Sequence, residues 1–412
     1  MNIVILTLTY PPEPAEHIHQ LAKFLTGRLH DVTVLTSLPS YPYGRIYDSH
    51  RGRLWQKETV EGIRIVRLPV LPSHTKSFVM RALFYFSNSC SLSVYLLAKK
   101  KAYDIALVYH PPLTMAIPGI LLKKCIGTPF IYWIHDMWPE TIEAQTGINK
   151  VTRFIGYLAG KVYHQASHIV VLSKGFKKNL MEKGISGSKI SVISNWADPV
   201  YFKPLTVVDD DYKKYRLNPR DFHIVYAGNL GLMQSLDDVI RAMTYLRHLS
   251  NIKLVFMGTG VRTDELKKLS AELGLADRVI FLGRVPDDEV NKCYSLADTF
   301  IIHIKDIPLN RITIPHKIYG YMLSAKPVIA GIAGDALDEI LQAGAGIACL
   351  PQNPASIAKA MEDMYHTPKD TLKLMGSSGR SFLLKERTID VLAAKFEKII
   401  YETAENEVRE ER

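Results

Sequence analysis

The chain has 412 residues, of which 47% are hydrophobic and 22% charged, with a net charge of +10. That composition excludes a disordered or fibrous chain and fits a globular protein of roughly two or three domains on the ~150-residue prior. The four cysteines, Cys90, Cys125, Cys293 and Cys349, lie far apart with no C-x-x-C, which argues against a zinc site or a disulfide framework and fits a reducing cytosol.

Met1–Tyr10 has no basic leader region and no cleavage site, and reads as a first strand. No run of ~18 apolar residues predicts a spanning helix. Further strands are expected in the first half at Val32–Thr36, Ile63–Leu68, Ile105–Tyr109, Phe130–Ile134, His168–Leu172 and Ile190–Ile193, after Ile3–Thr7. The second half repeats the pattern at Ile224–Ala227, Lys253–Met257, Val279–Leu282, Thr299–Ile302, Pro327–Ala330 and Ile347–Leu350. Helix-length segments separate them, which indicates parallel α/β. Pro199, Pro204 and the Asp209–Asp211 run mark a linker between Asn195 and Phe222. Asp209–Asp211 has a D-x-D spacing, but in a linker it reads as a solvated charge run.

Charge is unevenly placed. Met1–Leu205 holds 24 Lys+Arg against 12 Asp+Glu, so +12, and the remainder holds 27 against 29, so −2. The first half is expected to meet something anionic, a membrane surface or a nucleic acid. No nucleic-acid-binding signature supports the second. Lys76–Tyr103 is apolar and aromatic with Arg81 and Lys99–Lys101 at its flanks. It reads as an interfacial helix on an anionic membrane surface, or as a buried helix pair.

Glycine turns follow two strands of the second half. Tyr226–Gly231 precedes a helix expected over Ser235–Leu246, and Met257–Gly260 precedes one starting near Arg262. Glycine there either lets backbone approach phosphate or simply makes the turn. Near the end, Ile314–Ile329 reads IPHKIYGYMLSAKPVI. A Pro opens a helix and Lys317 stands in its first turn, where free N–H groups and a side-chain charge can hold an anion. The last segment, Ile389–Arg412, is helical in pattern and ends in the charged run EVREER, read as a solvated or frayed end.

The order of LTYPPEPAEHIHQLAKFLTGRLHDVTVLTSLPSYPYG, HDMWPE, VLSKGFKKNLMEKG, ISNWAD, FMGTG, FLGRVP and IPHKIYGYMLSAKPVIAG resembles the GT-B glycosyltransferases of family 4 over essentially the whole length. The TYPPE, HDMWPE and IPHK spellings resemble the bacterial surface-polysaccharide branch, including transferases of fucosamine-type sugars. The resemblance implies retaining transfer from a nucleotide sugar, which is a substrate, with no cofactor and no metal. It implies two Rossmann-like domains, 1–203 and 204–388, facing each other across a cleft, with 389–412 a helix returning to the first. UDP is expected over GDP, a lipid-linked saccharide as acceptor, and the inner face of the plasma membrane as location.

By the same resemblance Lys317 stabilises the leaving diphosphate, with Arg311, Pro315 and His316 beside it, and His135 positions the donor sugar. Gly228, Asn229, Gln234, Gly258, Gly260, Arg284 and Val285 are expected on the donor side, the last two beside the base. Asp136, Glu140 and Glu16 are expected on the acceptor side. Asp136 or Glu140 is alternatively a cap of the helix that Pro139 opens. The sequence departs from the family where its E-x7-E carboxylates, the second of which binds the ribose in the common pattern, would stand at Ile312 and Gly320, and where Asn229 and Gln234 replace a usual Arg and Lys. A Gly in a helix costs roughly 1 kcal/mol against Ala, so Gly320 is expected to make room for a ligand or a neighbouring backbone. A sugar-nucleotide epimerase of this architecture and a non-catalytic GT-B subunit stand as alternatives.

Overall fold

A computed structural model of the protein describes residues 1–75, 77–99 and 103–410. Lys76, Lys100 and Lys101 of the expected interfacial segment, and Glu411 and Arg412 of the charged tail, lie outside the described residues. The chain forms two bodies, Met1–Asn195 with Ile389–Arg412, and Trp196–Thr388. The first body therefore ends at Asn195 rather than at residue 203. Residues 196–203 go with the second body because Trp196 is buried, Ala197 and Phe202 pack into that body's core, and the Ala197 amide donates to Arg387 O at 2.7 Å.

The first body holds an eight-stranded sheet in the order β3-β4-β2-β1-β5-β6-β7-β8. Its strands are β1 (Asn2–Leu6), β2 (Asp31–Ser37), β3 (Gln56–Val60), β4 (Ile63–Leu68), β5 (Ile105–His110), β6 (Phe130–Ile134), β7 (His168–Val171) and β8 (Ile190–Val192). All pair in parallel except β3, which runs antiparallel to β4. β3 is not among the expected strands. Its sequence, QKETV, has no apolar alternation, and it sits on the sheet edge where none is needed. Glu61 and Gly62 join it to β4 with φ of 50° and 80°, the geometry of a two-residue hairpin turn. The C-terminal helix Ile389–Glu410 packs on helix Glu16–Gly27 and on β5 and β6. Glu397 accepts from His30 at 2.9 Å, and Glu407 pairs with Lys123 at 2.6 Å.

The second body holds six parallel strands in the order β11-β10-β9-β12-β13-β14. These are β9 (Phe222–Ala227), β10 (Ile252–Met257), β11 (Val279–Gly283), β12 (Thr299–His303), β13 (Val328–Gly331) and β14 (Gly346–Ala348). Apolar clusters on both faces bury the central strands, as a doubly covered parallel sheet requires. The strand order reverses between β9 and β12, and such switch points are where open α/β sheets take ligands, beyond the carboxyl ends of the strands. β9 and β12 pair only at Ile224–Thr299 and Val225–Phe300. Past Val225 they part, and the Tyr321 hydroxyl takes over, accepting from Ala227 N at 2.9 Å and donating to Ala227 O at 2.7 Å.

The linker contains a short helix, Asp209–Lys214. Asp211 accepts from the Val208 amide at 2.8 Å and pairs with Lys292, and Asp210 pairs with Lys213, while Asp209 is exposed. The helix expected over Ser235–Leu246 is shorter, Leu236–Ala242: Ser235 before it takes a left-handed conformation at φ 45°, and after Ala242 the chain tightens into turns, with Thr244 N donating to Arg241 O and Leu246 N to Met243 O.

Candidate active site

In the second body the candidate site grows from the carboxyl end of β9. Helix Lys317–Leu323 sends two side chains one turn apart onto that strand. Tyr321 holds Ala227, as above, and Lys317 donates from Nζ to Tyr226 Oη at 2.6 Å. The Tyr226 hydroxyl in turn donates to Asn229 O at 2.9 Å. Burial raises the Tyr226 phenol well above its ordinary range, so it stays neutral. Desolvation lowers the Lys317 ammonium to about 8. Lys317 makes no ion pair among the described residues. A cation shielded in this way, without a counter-charge, is set to receive an anion.

Gly228 follows Tyr226 and Ala227 at φ 138°, and a Cβ there would stand 2.8 Å from Lys317 Nζ. Its lack of a side chain thus opens the space in front of the ammonium. The other glycines serve packing between turns. A Cβ on Gly258 would lie 2.1 Å from Gly228 O, and one on Gly260 would lie 2.3 Å from Leu230 O. Their amides are already used: Gly228 N donates to Met257 O, Gly258 N to Gly283 O and Gly260 N to Thr263 Oγ1. Of the two readings of these glycines, the turn reading accounts for Gly258 and Gly260, which allow the backbones of the β9 and β10 turns to touch.

Asn229 and Gln234 flank Gly231, whose Cβ would meet Asn229 Nδ2 and Gln234 Oε1 at 2.7 Å each. Gln234 Oε1 is buried without a hydrogen-bond partner. Its backbone carbonyl accepts from His303 Nδ1 at 2.7 Å, while His303 Nε2 accepts from the Gln352 amide at 2.9 Å. These bonds fix the tautomer of a fully buried histidine and tie the β9 turn to the end of β12.

Helix Lys317–Leu323 is only seven residues long, and two of its opening amides are occupied. Ile318 N donates to Pro315 O and Tyr319 N to His316 O, both at 3.1 Å. The helix start thus offers few free amides, and the charge at this point is that of the Lys317 side chain. His316 is exposed, its ring edge-on to Tyr319 at 5.6 Å. Arg311 is not an uncommitted cation: it grips Asp306 bidentately at 2.6 and 2.8 Å. Arg311 and Pro315 line one small cavity with Lys305 and Asn310. Arg284 is exposed after β11, and Val285 is buried in the core. Gly320 makes room for neither ligand nor backbone. A Cβ there would meet the Phe202 ring at 3.1 Å and Tyr294 at 3.3 Å, and those two rings stack at 5.5 Å.

In the first body His135 ends β6, its amide donating to His110 O at 3.1 Å. Its ring lies 4.4 Å from Tyr109, 4.7 Å from Trp133 and 6.5 Å from His17. Asp136 is partly buried, and burial raises its carboxyl. Neither Asp136 nor Glu140 caps helix Glu140–Thr146. Pro139 occupies the cap position with no side-chain bond, and Glu140 pairs with Lys183 at 2.5 Å. Glu16 is exposed in the first turn of its helix. The carboxylate that is buried in this loop is Glu13, which the sequence reading passed over. It accepts from the amides of Ser40 at 2.9 Å, Tyr41 at 2.8 Å and Tyr10 at 3.4 Å, and desolvation still raises its carboxyl. Arg67, buried behind it, pairs with Glu58 at 2.7 Å and donates to Pro11 O.

Residues 14–196 match the family described as Glycosyl transferase 4-like domain, and residues 207–403 match Glycosyl transferases group 1. An uncharacterized glycosyltransferase of Methanocaldococcus jannaschii is 25% identical over 87% of each chain. The putative colanic acid biosynthesis glycosyl transferase WcaI of Escherichia coli is 24% identical over 68% of this chain and 71% of its own. Among solved structures, Anabaena HepE in complex with UDP superposes with a TM-score of 0.72 at 17% identity, covering 98% of this chain and 100% of that one. With both bodies matched in sequence and each built on a parallel sheet, the chain belongs to the group 1 glycosyltransferases of GT-B fold and is a hexosyltransferase-type enzyme.

Proposed function

We propose that the enzyme is a retaining transferase of family 4, in the surface-polysaccharide branch of O-antigen and capsule synthesis. It moves a sugar from a UDP-linked donor to a lipid-linked saccharide while resting on the inner face of the plasma membrane. The observation that carries this reading is the Lys317 ammonium at the switch point of the second sheet, shielded, without a counter-charge and faced by Gly228. Departure of the nucleotide builds negative charge on the diphosphate, and a preplaced cation in a dry site stabilises that charge as it forms. Tyr226 holds the ammonium in place as a neutral phenol. No metal and no covalent protein nucleophile enters this reading.

His135 is assigned to the donor sugar, where imidazole can donate or accept near neutral pH. Asp136 is assigned to acceptor hydroxyls, whose hydrogen bonds its carboxylate can accept; burial raises that carboxyl. UDP is favoured because HepE binds it in a fold of the same kind, and a polysaccharide product is favoured by the likeness to the colanic acid transferase. No helix among the described residues is long and apolar enough to cross a membrane; the peripheral reading rests on the basic, apolar first half. A panel of nucleotide sugars, each assayed for slow hydrolysis without acceptor and for transfer with lipid-linked saccharide, tests the reading. Hydrolysis of a UDP sugar and its acceleration by the lipid acceptor support it; acceptor-free isomerisation of the donor would indicate an epimerase.

The packing of Gly320 favours a second reading, a subunit that binds nucleotide without turnover. Phe202 fills the space where the family's ribose-binding carboxylate would stand. UDP binding with no hydrolysis of any donor would select it.

A further inference from the structure

Three helices of the first body, Phe78–Lys99, Ala116–Ile126 and Lys150–Gln165, contain no Asp or Glu. Their charges are Arg81, Lys99, Lys123, Lys124, Lys150, Arg153 and Lys161, all basic, with Lys123 taken by Glu407. They lie in the β4-to-β5, β5-to-β6 and β6-to-β7 connections, which all step the same way along the sheet, and right-handed crossovers put all three on one face. The first two pack on each other. The helices associated at the sheet's other face, Glu16–Gly27 and Ile389–Glu410, carry carboxylates instead, Glu397, Glu402 and Glu405 among them.

The same rule puts helix Lys174–Glu182, with its Glu182, on this face, which also exposes large apolar side chains. Helix Lys150–Gln165 buries Thr152, Ala159 and Tyr163, and turns Val151, Phe154, Tyr157 and Leu158 outward. Phe154 is 61% exposed and Tyr157 59%. These positions recur at three- and four-residue spacing beside Lys150, Arg153 and Lys161, and Lys161 Nζ lies 4.4 Å from the Tyr157 ring centroid. Asn149 and Thr152 close a reciprocal capping box, so the helix is preformed. Helix Phe78–Lys99 adds Val79, Leu83, Phe86 and Val94, all exposed. The carboxylates of the intervening helix Glu140–Thr146 are Glu140, taken by Lys183, and Glu143.

We propose that this face docks on an anionic lipid bilayer, with Phe154 and Tyr157 entering the interface and Lys150, Arg153 and Lys161 meeting the headgroups. Aromatic and aliphatic side chains interleaved with cations, with no carboxylate on helix Lys150–Gln165 itself, match the charge and polarity of such a surface. The inference rests on the peripheral-membrane reading above and adds to it the docking helix, which lies outside the expected 76–103 segment.

The full chain is mixed with vesicles of phosphatidylcholine plus phosphatidylglycerol, and with phosphatidylcholine alone, and partitioning is read by co-sedimentation. The wild type binds the anionic vesicles preferentially. The triple variant Lys150→Gln, Arg153→Gln, Lys161→Gln loses roughly 100-fold in partitioning, at about fivefold per basic residue. Phe154→Ser with Tyr157→Ser weakens binding by at least tenfold on the scale of buried apolar area. The control Lys267→Gln, Lys268→Gln, Lys373→Gln, of equal charge change in the second body, keeps wild-type binding. Wild-type binding that both docking variants retain overturns this inference and leaves the peripheral reading standing. Absence of wild-type binding to anionic vesicles overturns both. A self-association seen by sedimentation and abolished by Phe154→Ser with Tyr157→Ser, with vesicle binding intact, assigns the face to a second copy and also overturns the inference.

Discussion

Lys317 Nζ donates to Tyr226 Oη across 2.6 Å, and this bond fixes a desolvated ammonium at the end of β9. Tyr226 is neutral and donates its own hydrogen bond to Asn229 O at 2.9 Å, so the ammonium is positioned without being neutralised. A carboxylate in place of the phenol would compete with the ligand for the same charge. The arrangement stores an unfavourable desolvation that an anionic ligand relieves.

The first consequence is a trade between stability and binding. Lys317→Met removes a shielded cation while keeping the volume of its stem, and should stabilise the free protein by on the order of 1 kcal/mol at neutral pH. Thermal unfolding of the two proteins without ligand checks this. A large destabilisation would mean that Lys317 is held for structure.

UDP affinity should depend on pH with a definite sign. In the free protein the Lys317 ammonium is lowered to about 8, by desolvation. The unfolded chain keeps its lysine protonated to higher pH, so the shielded charge costs stability below pH 8, and that cost disappears as pH rises toward the ordinary lysine range. Binding runs the other way. If the diphosphate is held by the ammonium as proposed, affinity is level below pH 8 and falls above it, by up to roughly tenfold per pH unit. Calorimetry across that range, with Lys317→Met as the flat control, reads the effect.

Gly228→Ala should damage binding through geometry. The new Cβ would stand 2.8 Å from Lys317 Nζ at a φ of 138°, and should cost about tenfold or more in UDP affinity, a change of ~1.4 kcal/mol. Gly274→Ala is the control: its φ is also positive, at 66°, and its only near neighbour is Arg247 at 3.9 Å. It should lower stability by about 1 kcal/mol and leave affinity unchanged.

Restoring the family's carboxylate should fail. Gly320→Glu places a charged side chain between Phe202 and Tyr294, and should destabilise the second body by about 3 kcal/mol or more through overpacking and burial of charge. Thermal unfolding measures the loss. A stable variant with tighter UDP binding would show that the position faces ribose.

Much of the fold was legible because buried parallel strands announce themselves as apolar runs; each of the thirteen expected segments contains a strand or the greater part of one. β3 escaped because an edge strand solvated on both sides has no such run. The Glu61-Gly62 pair before Ile63–Leu68 was the available signal. The site was legible in part. Lys317 and the β9 turn were named, but Tyr226 was seen only as the start of a glycine turn, and its pairing with Lys317 spans 91 residues. Arg311 kept its apparent freedom because Asp306 stands five residues away, off the usual helical spacing. Glu13 sits in a proline-rich loop that reads as solvated; its burial comes from the amides of Ser40 and Tyr41, which no local pattern reveals. The role of Gly320 belongs to Phe202, a residue of the segment taken as linker.

Titration of the wild type and of Lys317→Met with UDP by calorimetry at neutral pH tests the central claim most directly. A folded Lys317→Met protein that binds UDP at least tenfold more weakly, as loss of a charge-assisted contact to phosphate implies, is the result expected here. Equal affinity in the two proteins would contradict the assignment of Lys317 to the leaving diphosphate.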